Sequence, residues 1–299
     1  MKRLAHVNLV RTCSKSVLLV SAIVALGQPR AGSEEPGDLG PAESGSSESA
    51  PTEAEKSHLR AAQRHMRGLE LRRRDAENET IELIDRPLLS FGDPARQYQR
   101  GSFWAWGRTG RPAAFMEVWQ NADQPELWRH SITLCSSDRL VLDAGISGRW
   151  TPPQAALETR AIADAPPPAK EESARLRQLK ELGRRFTAHE FWDPDNSRFE
   201  LRLLPQPVHR YTDPTARLQD GAVFIVAHGT NPEIVLLIEA QGDSLESSRW
   251  HYALVRTSSA ELHVSLDGKE IWQRGRVPNI AGSPLESYWI FRLPVESQP

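Results

Sequence analysis

Two cysteines in 299 residues are too few for a disulfide framework. Cys13 stands ahead of an apolar run near the N-terminus and would leave with it on export, so no intrachain disulfide is predicted. Cys135 sits in the strand-like stretch HSITLCSS, where a free Cys behaves as a small buried hydrophobe rather than a nucleophile. Neither sign of charge dominates, with 37 Lys and Arg against 39 Asp and Glu. From Lys56 onward the signs balance, and the basic surplus that nucleic acid requires is missing. Long apolar runs are also absent. A mean hydropathy of -0.51 and one short apolar stretch exclude a polytopic membrane protein.

The familiar catalytic signatures are missing too. There is no Gly-x-Ser-x-Gly elbow, no His-Glu-x-x-His, no Cys-x-x-Cys, no Gly-x-Gly-x-x-Gly and no Walker loop. No cofactor and no metal is therefore predicted. The loop from Asp193 places Asp195 and Ser197 at alternating positions, as a calcium loop would. Arg198 then takes the place of the turn glycine and Leu204 that of the bidentate Glu, so a hairpin turn is the better reading.

What is present begins with an address. Lys2, Arg3, Arg11 and Lys15 precede the apolar run Val17 to Leu26, and Ala25 and Gly27 sit where a signal peptidase reads small residues. Residues 1–27 read as a secretory signal and 28–55, rich in Gly, Ser, Pro and Glu, as a disordered acidic tether. Membrane contact is expected only through that signal, if it stays uncleaved.

Slid against itself, the chain matches at a constant offset. Residues 87–112 overlie 207–232 at an offset of 120, with Asp93/Asp213, Pro94/Pro214 and Gly101/Gly221 identical and Phe91 matching Tyr211. Further on, Trp128/Trp250 and Trp150/Trp272 match at 122. Each unit opens with helical spacing, Leu59, Ala62, Met66 and Leu69 in one and Leu176, Leu179, Leu182 and Phe186 in the other. Short apolar runs separated by turns follow. The fold predicted is α+β: two tandem copies of a small domain, each an N-terminal helix packed on an antiparallel β-meander. Its boundaries are repeat 1 at 56–150, a Pro-rich linker at 151–173 and repeat 2 at 174–299.

Candidate residues are few. His209, His228 and His251, with Asp213 nearby, read as a metal or acid/base cluster if they converge. Their counterparts Leu89, Arg108 and Arg129 are not His, whereas Asp213 is matched by Asp93, which favours a carboxylate that caps a turn. Trp104 and Trp106 read as core, with a stacking platform for a sugar or peptide as the alternative.

The run Pro207 to Pro214, with Tyr211 and Asp213 in it, then Asp220 to Phe224, then Asn231 to Glu239, preceded by RLRQLKELGRRF, resembles a family of exported planctomycete proteins with a duplicated α+β unit. The resemblance covers about Leu59 to Trp272. It implies export and assigns no catalytic residue.

The function expected is that of an exported protein, periplasmic or extracellular. It would be a non-enzymatic binding or structural module whose partner lies in the cell envelope or outside the cell. The alternative is a hydrolase using His209, Asp213 and His228 in a cleft between the repeats. Signal cleavage near Gly27 predicts a mature chain starting at about Gln28; N-terminal sequencing of the exported protein checks this, and Met1 recovered from a membrane fraction would refute it.

Overall fold

In the computed structural model, residues 52–93, 98–154, 157–192, 195–278 and 282–295 are described. The expected signal and the tether up to residue 51 lie outside them. Thr52 closes a capping box with Glu55, so α1 (Glu53–Arg67) starts within the segment read as tether. Ala62 and Met66, four residues apart on one face, are buried. After α1 come β1 (Leu71–Arg73), β2 (Ala76–Ile81), β3 (Leu89–Asp93), β4 (Tyr98–Trp106), β5 (Ala114–Asn121), β6 (Gln124–Leu134), β7 (Leu140–Asp143) and β8 (Arg149–Trp150). The chain continues through β9 (Arg160–Ala161), α2 (Glu172–Gly183), β10 (Phe186–Trp192), β11 (Ser197–Leu203), β12 (His209–Asp213), β13 (Leu218–His228) and β14 (Asn231–Gln241). It ends with β15 (Arg249–Arg256), β16 (Glu261–Leu266), β17 (Lys269–Arg274) and β18 (Tyr288–Pro294).

The expectation of two tandem helix-plus-meander domains is corrected. About half of the described residues are in strands, arranged as large curled antiparallel sheets, with two α-helices. In the second half the order is β17-β16-β10-β11-β13-β14-β15-β9, with β12 on β13. The first half has β2-β1-β7-β8 and β18-β6-β5-β4-β3, linked by the bridge Leu83 to Trp106. A meander would place consecutive strands side by side, but β1 takes β7 as its second neighbour and β10 takes β16. Nor are the halves closed units. The last strand, β18, pairs with β6 of the first half, and the described residues form one compact body. The segment 151–173 is likewise docked: β9 pairs with β15 and Ile162 is buried.

Strand alternation explains the layers. On β4, Trp104 and Trp106 face the core under α1, whereas Phe103 and Ala105 face the other half. On β13, Phe224 and Val226 lie under α2 while Val223 and Ile225 join Phe103 and Phe115 in the shared middle core. Trp104 and Trp106 are fully buried and form no stacking platform. Two glycines let an aromatic ring lie on the backbone: a Cβ on Gly101 would stand 2.4 Å from Phe91, and one on Gly221 2.5 Å from Tyr211. Buried Asp220 anchors α2, receiving Arg175 at 2.5 Å and Arg210 at 2.6 Å.

Half-buried His65 and buried His130 hold α1 to its sheet. His65 Nε2 and His130 Nε2 are 2.7 Å apart, a distance that needs one donor and one acceptor, so at least one ring is neutral. Trp128 stacks on His65 and Phe291 on His130. Burial pulls His65 down to about 4, and burial together with His65 pulls His130 well below the usual value. Between those values and the ordinary 6.5 the unfolded chain binds more protons than the folded one. Stability is thus expected to fall as pH drops from about 6.5 to about 4, by up to about 3 kcal/mol for His65 alone. Urea midpoints across this range check it, and the double variant His65→Leu/His130→Phe should flatten the slope.

Candidate functional site

His209 and His228, expected to converge, are kept apart by the strand period. His209 pairs with Val223, whose side chain faces the middle core, while His228 continues the opposite phase of Phe224 and Val226. They also lie five residues apart along β13, about 17 Å at strand rise. His209 stacks on Tyr211, and burial, then Arg86, lowers its pKa. His228, one-third exposed, meets fully buried Glu190 at 2.6 Å, with Phe199 against its ring. His251 is half-buried, with its ring Nδ1 3.0 Å from the Arg249 carbonyl. Asp213 accepts from the Thr215 hydroxyl at 2.6 Å and the Ala216 N–H at 3.1 Å, and these bonds lower its pKa. Its role is that of a turn cap. Among the described residues no group of His, Cys, Asp and Glu could hold a metal.

Cys135 is fully buried in the middle core, and burial pushes its thiol up to about 12, which removes it as a nucleophile at neutral pH. Close by lies a charge network across the halves. Arg111, from the β4–β5 turn, grips Glu239 of β14 at 2.7 and 2.6 Å. Tyr211 donates to the same carboxylate at 2.5 Å and Gln241 at 2.7 Å. Burial opposes both charges, but each partner outweighs it: Glu239 is held below its ordinary pKa and Arg111 above. The sequence does carry a signal for this network, since Glu239 falls on the inward phase of Val235 and Leu237, where a carboxylate requires a cation.

Two cavities open along the seam, and Tyr288 lines both. The first, about 290 Å³, has Arg160, Arg256 and Arg274 in its wall with Tyr252, Trp272 and Tyr288. Glu158 is the one carboxylate among its lining residues. Arg256 is tied to three backbone carbonyls, Ser258 at 2.8 Å, Gly275 at 3.0 Å and Ala260 at 2.6 Å, and lies over the Tyr288 ring. Burial, then Arg274, depresses its pKa, against the opposite pull of Tyr288 and Glu233. Arg160 donates to the Ile271 carbonyl at 3.1 Å. These two side chains span the gap between the β15–β9 edge and β17, closing the curl of the sheet. The second cavity, about 230 Å³, is lined by Glu117, Trp119, Trp192, Asn231 and Thr257 among others. No sequence pattern announces either cavity, because their residues come from distant strands.

No helix among the described residues is long and apolar enough to cross a membrane. Comparison with protein-family models, curated proteins and solved structures finds no match.

Replacing Arg111 by Met would leave buried Glu239 with two neutral donors in place of its cation. A loss of about 3–5 kcal/mol is expected, the range for breaking a buried pair from one side. Chemical denaturation checks this, and the charge-neutral double variant Arg111→Met/Glu239→Gln should recover part of the loss.

Proposed function

We propose that the chain is a non-enzymatic binding module that holds an anionic ligand in the first seam cavity. Its expected export sequence suits a ligand of the cell envelope or the extracellular space. The observation that carries this reading is Arg256. It is a half-buried cation whose hydrogen bonds, among the described residues, go to carbonyl groups and not to a carboxylate. A charge in that environment gains more from an incoming anion than one in open water, because solvent screens it less. Three carbonyl contacts fix its position beforehand, so little ordering entropy is lost on binding. Arg160 and Arg274 flank it, giving three guanidinium groups against one carboxylate in the lining. Tyr252, Trp272 and Tyr288 supply walls for an apolar or aromatic body attached to the anionic head.

The hydrolase alternative loses the site on which it rested, since His209, Asp213 and His228 do not assemble. The buried Glu190 beside His228 reads as a carboxylate compensated by an imidazole, with no nucleophilic side chain in that contact.

The test uses inorganic pyrophosphate and citrate as probes, with chloride at equal ionic strength as the control. A saturable rise in melting temperature is expected from at least one probe. Arg274→Gln, which alters an exposed side chain, should weaken that binding by about tenfold while leaving the ligand-free melting temperature unchanged. Equal shifts in the wild type and the variant, or equal shifts with chloride, would overturn the reading.

A further inference from the structure

We propose that the anion held in the first cavity is the C-terminal carboxylate of an extended peptide, which adds a strand between β15 and β17. This rests on the anion reading and names its ligand. The cavity lies at strand edges rather than on a sheet face. Side chains of successive strand residues point to opposite faces, yet Leu254, Val255 and Arg256 of β15 all line it, as do Ile271 and Trp272 of β17. A space touched by both phases of two strands is the gap between their edges. β17 and β9 end the strand order of this sheet, and the two ends meet without a ladder. Side chains bridge them instead, Arg160 to the Ile271 carbonyl and Arg256 to the Gly275 carbonyl.

β15 keeps an open edge along this gap. Its alternation is fixed at two points: Thr257 N–H donates to the Glu233 carbonyl, on the β14 side, and Ile162 N–H donates to the Trp250 carbonyl, on the β9 side. The backbone groups of Leu254 and Arg256 share the phase of Trp250, so they face away from β14. β9 is two residues long and pairs no further than Tyr252, so among the described residues no strand covers Leu254 or Arg256. Such an edge takes an added strand through main-chain hydrogen bonds. Three guanidinium groups stand against the single carboxylate of Glu158 in the lining, and a free C-terminus supplies negative charge whatever the peptide's sequence. From Tyr252, opposite Arg160, to Arg256 is about 13 Å at strand rise, the length of about four extended residues.

The probes are three peptides, acetyl-Thr-Val-Thr followed by Val, Leu or Phe, whose β-branched residues favour the extended chain. Each is compared with its C-terminal amide, and amide hydrogen exchange is followed by NMR on the full chain. Saturable binding of at least one free acid is expected, weakened at least about tenfold in its amide. The bound acid should slow exchange at Leu254 N–H at least about tenfold, whereas saturating pyrophosphate or citrate should leave it unchanged. An unchanged Leu254 exchange rate in the peptide complex would overturn strand addition, and equal binding of acid and amide would overturn the role of the carboxylate. If the small anions bind and no peptide does at about ten times a millimolar Kd, this proposal falls and the anion reading stands. If neither binds, both fall.

Discussion

Apolar residues on both faces of the central strands are the constraint from which the rest follows. An amphipathic sheet needs one cover; β4 and β13 need two. Toward the helices they present Trp104, Trp106, Phe224 and Val226, and toward each other Phe103, Ala105, Val223 and Ile225. Each large side chain returned to water would cost about 1.5–3 kcal/mol. A helix covers one face of each sheet. The other face has only the opposite half, so neither half is a finished domain, and the C-terminal strand crosses over to complete the first half's sheet.

Apolar surfaces attract without specifying alignment, and the buried charges supply what the core cannot. Glu239 is tolerated between the sheets only where Arg111, Tyr211 and Gln241 reach it together. Thr230 does the corresponding job on the other flank, bonding the Gly92 backbone at 3.2 and 3.0 Å. At Gly110, with φ of +74°, an added Cβ would stand 2.9 Å from Asp213 Oδ2, so the turn carrying Arg111 lies tightly on the cap of the opposite half. These contacts favour one relative placement of the halves. Because each sheet curls, its edges part from that centre, and the cavities lie along the parting.

Much of the local structure was legible. The three- and four-residue spacing around Met66 and Leu179 marks the two helices, and the two-sided apolar pattern of residues 222–227 marks a central strand. The aromatic that stands ten residues ahead of a glycine, Phe91 before Gly101 and Tyr211 before Gly221, corresponds to a ring resting on bare backbone. What escaped was pairing. Turn lengths suggest that neighbouring strands pair, but β1 with β7 and β10 with β16 are contacts across some seventy residues, and no local pattern encodes them. The His cluster failed for a related reason. Proximity in sequence ignored the alternation that sends His209 to one face of the sheet and His228 to the other.

Absence of catalytic motifs and presence of ligand chemistry are compatible, because a motif records residues held together by one short segment. Here the polar groups of the seam are single residues on separate strands, Arg160 on β9, Arg256 on β15 and Arg274 on β17. Such a constellation exists only after both sheets have closed. Arg160 and Arg256 help produce that closure, since their guanidinium groups bond carbonyls on or just after β17. The same two cations therefore complete the barrel-like curl and charge its wall, so the folding of the second half and the electrostatics of the first cavity cannot vary independently. A ligand that draws on Arg256 must accept it where the backbone holds it, which favours an anion small enough to enter and rigid enough to lose little entropy on arrival.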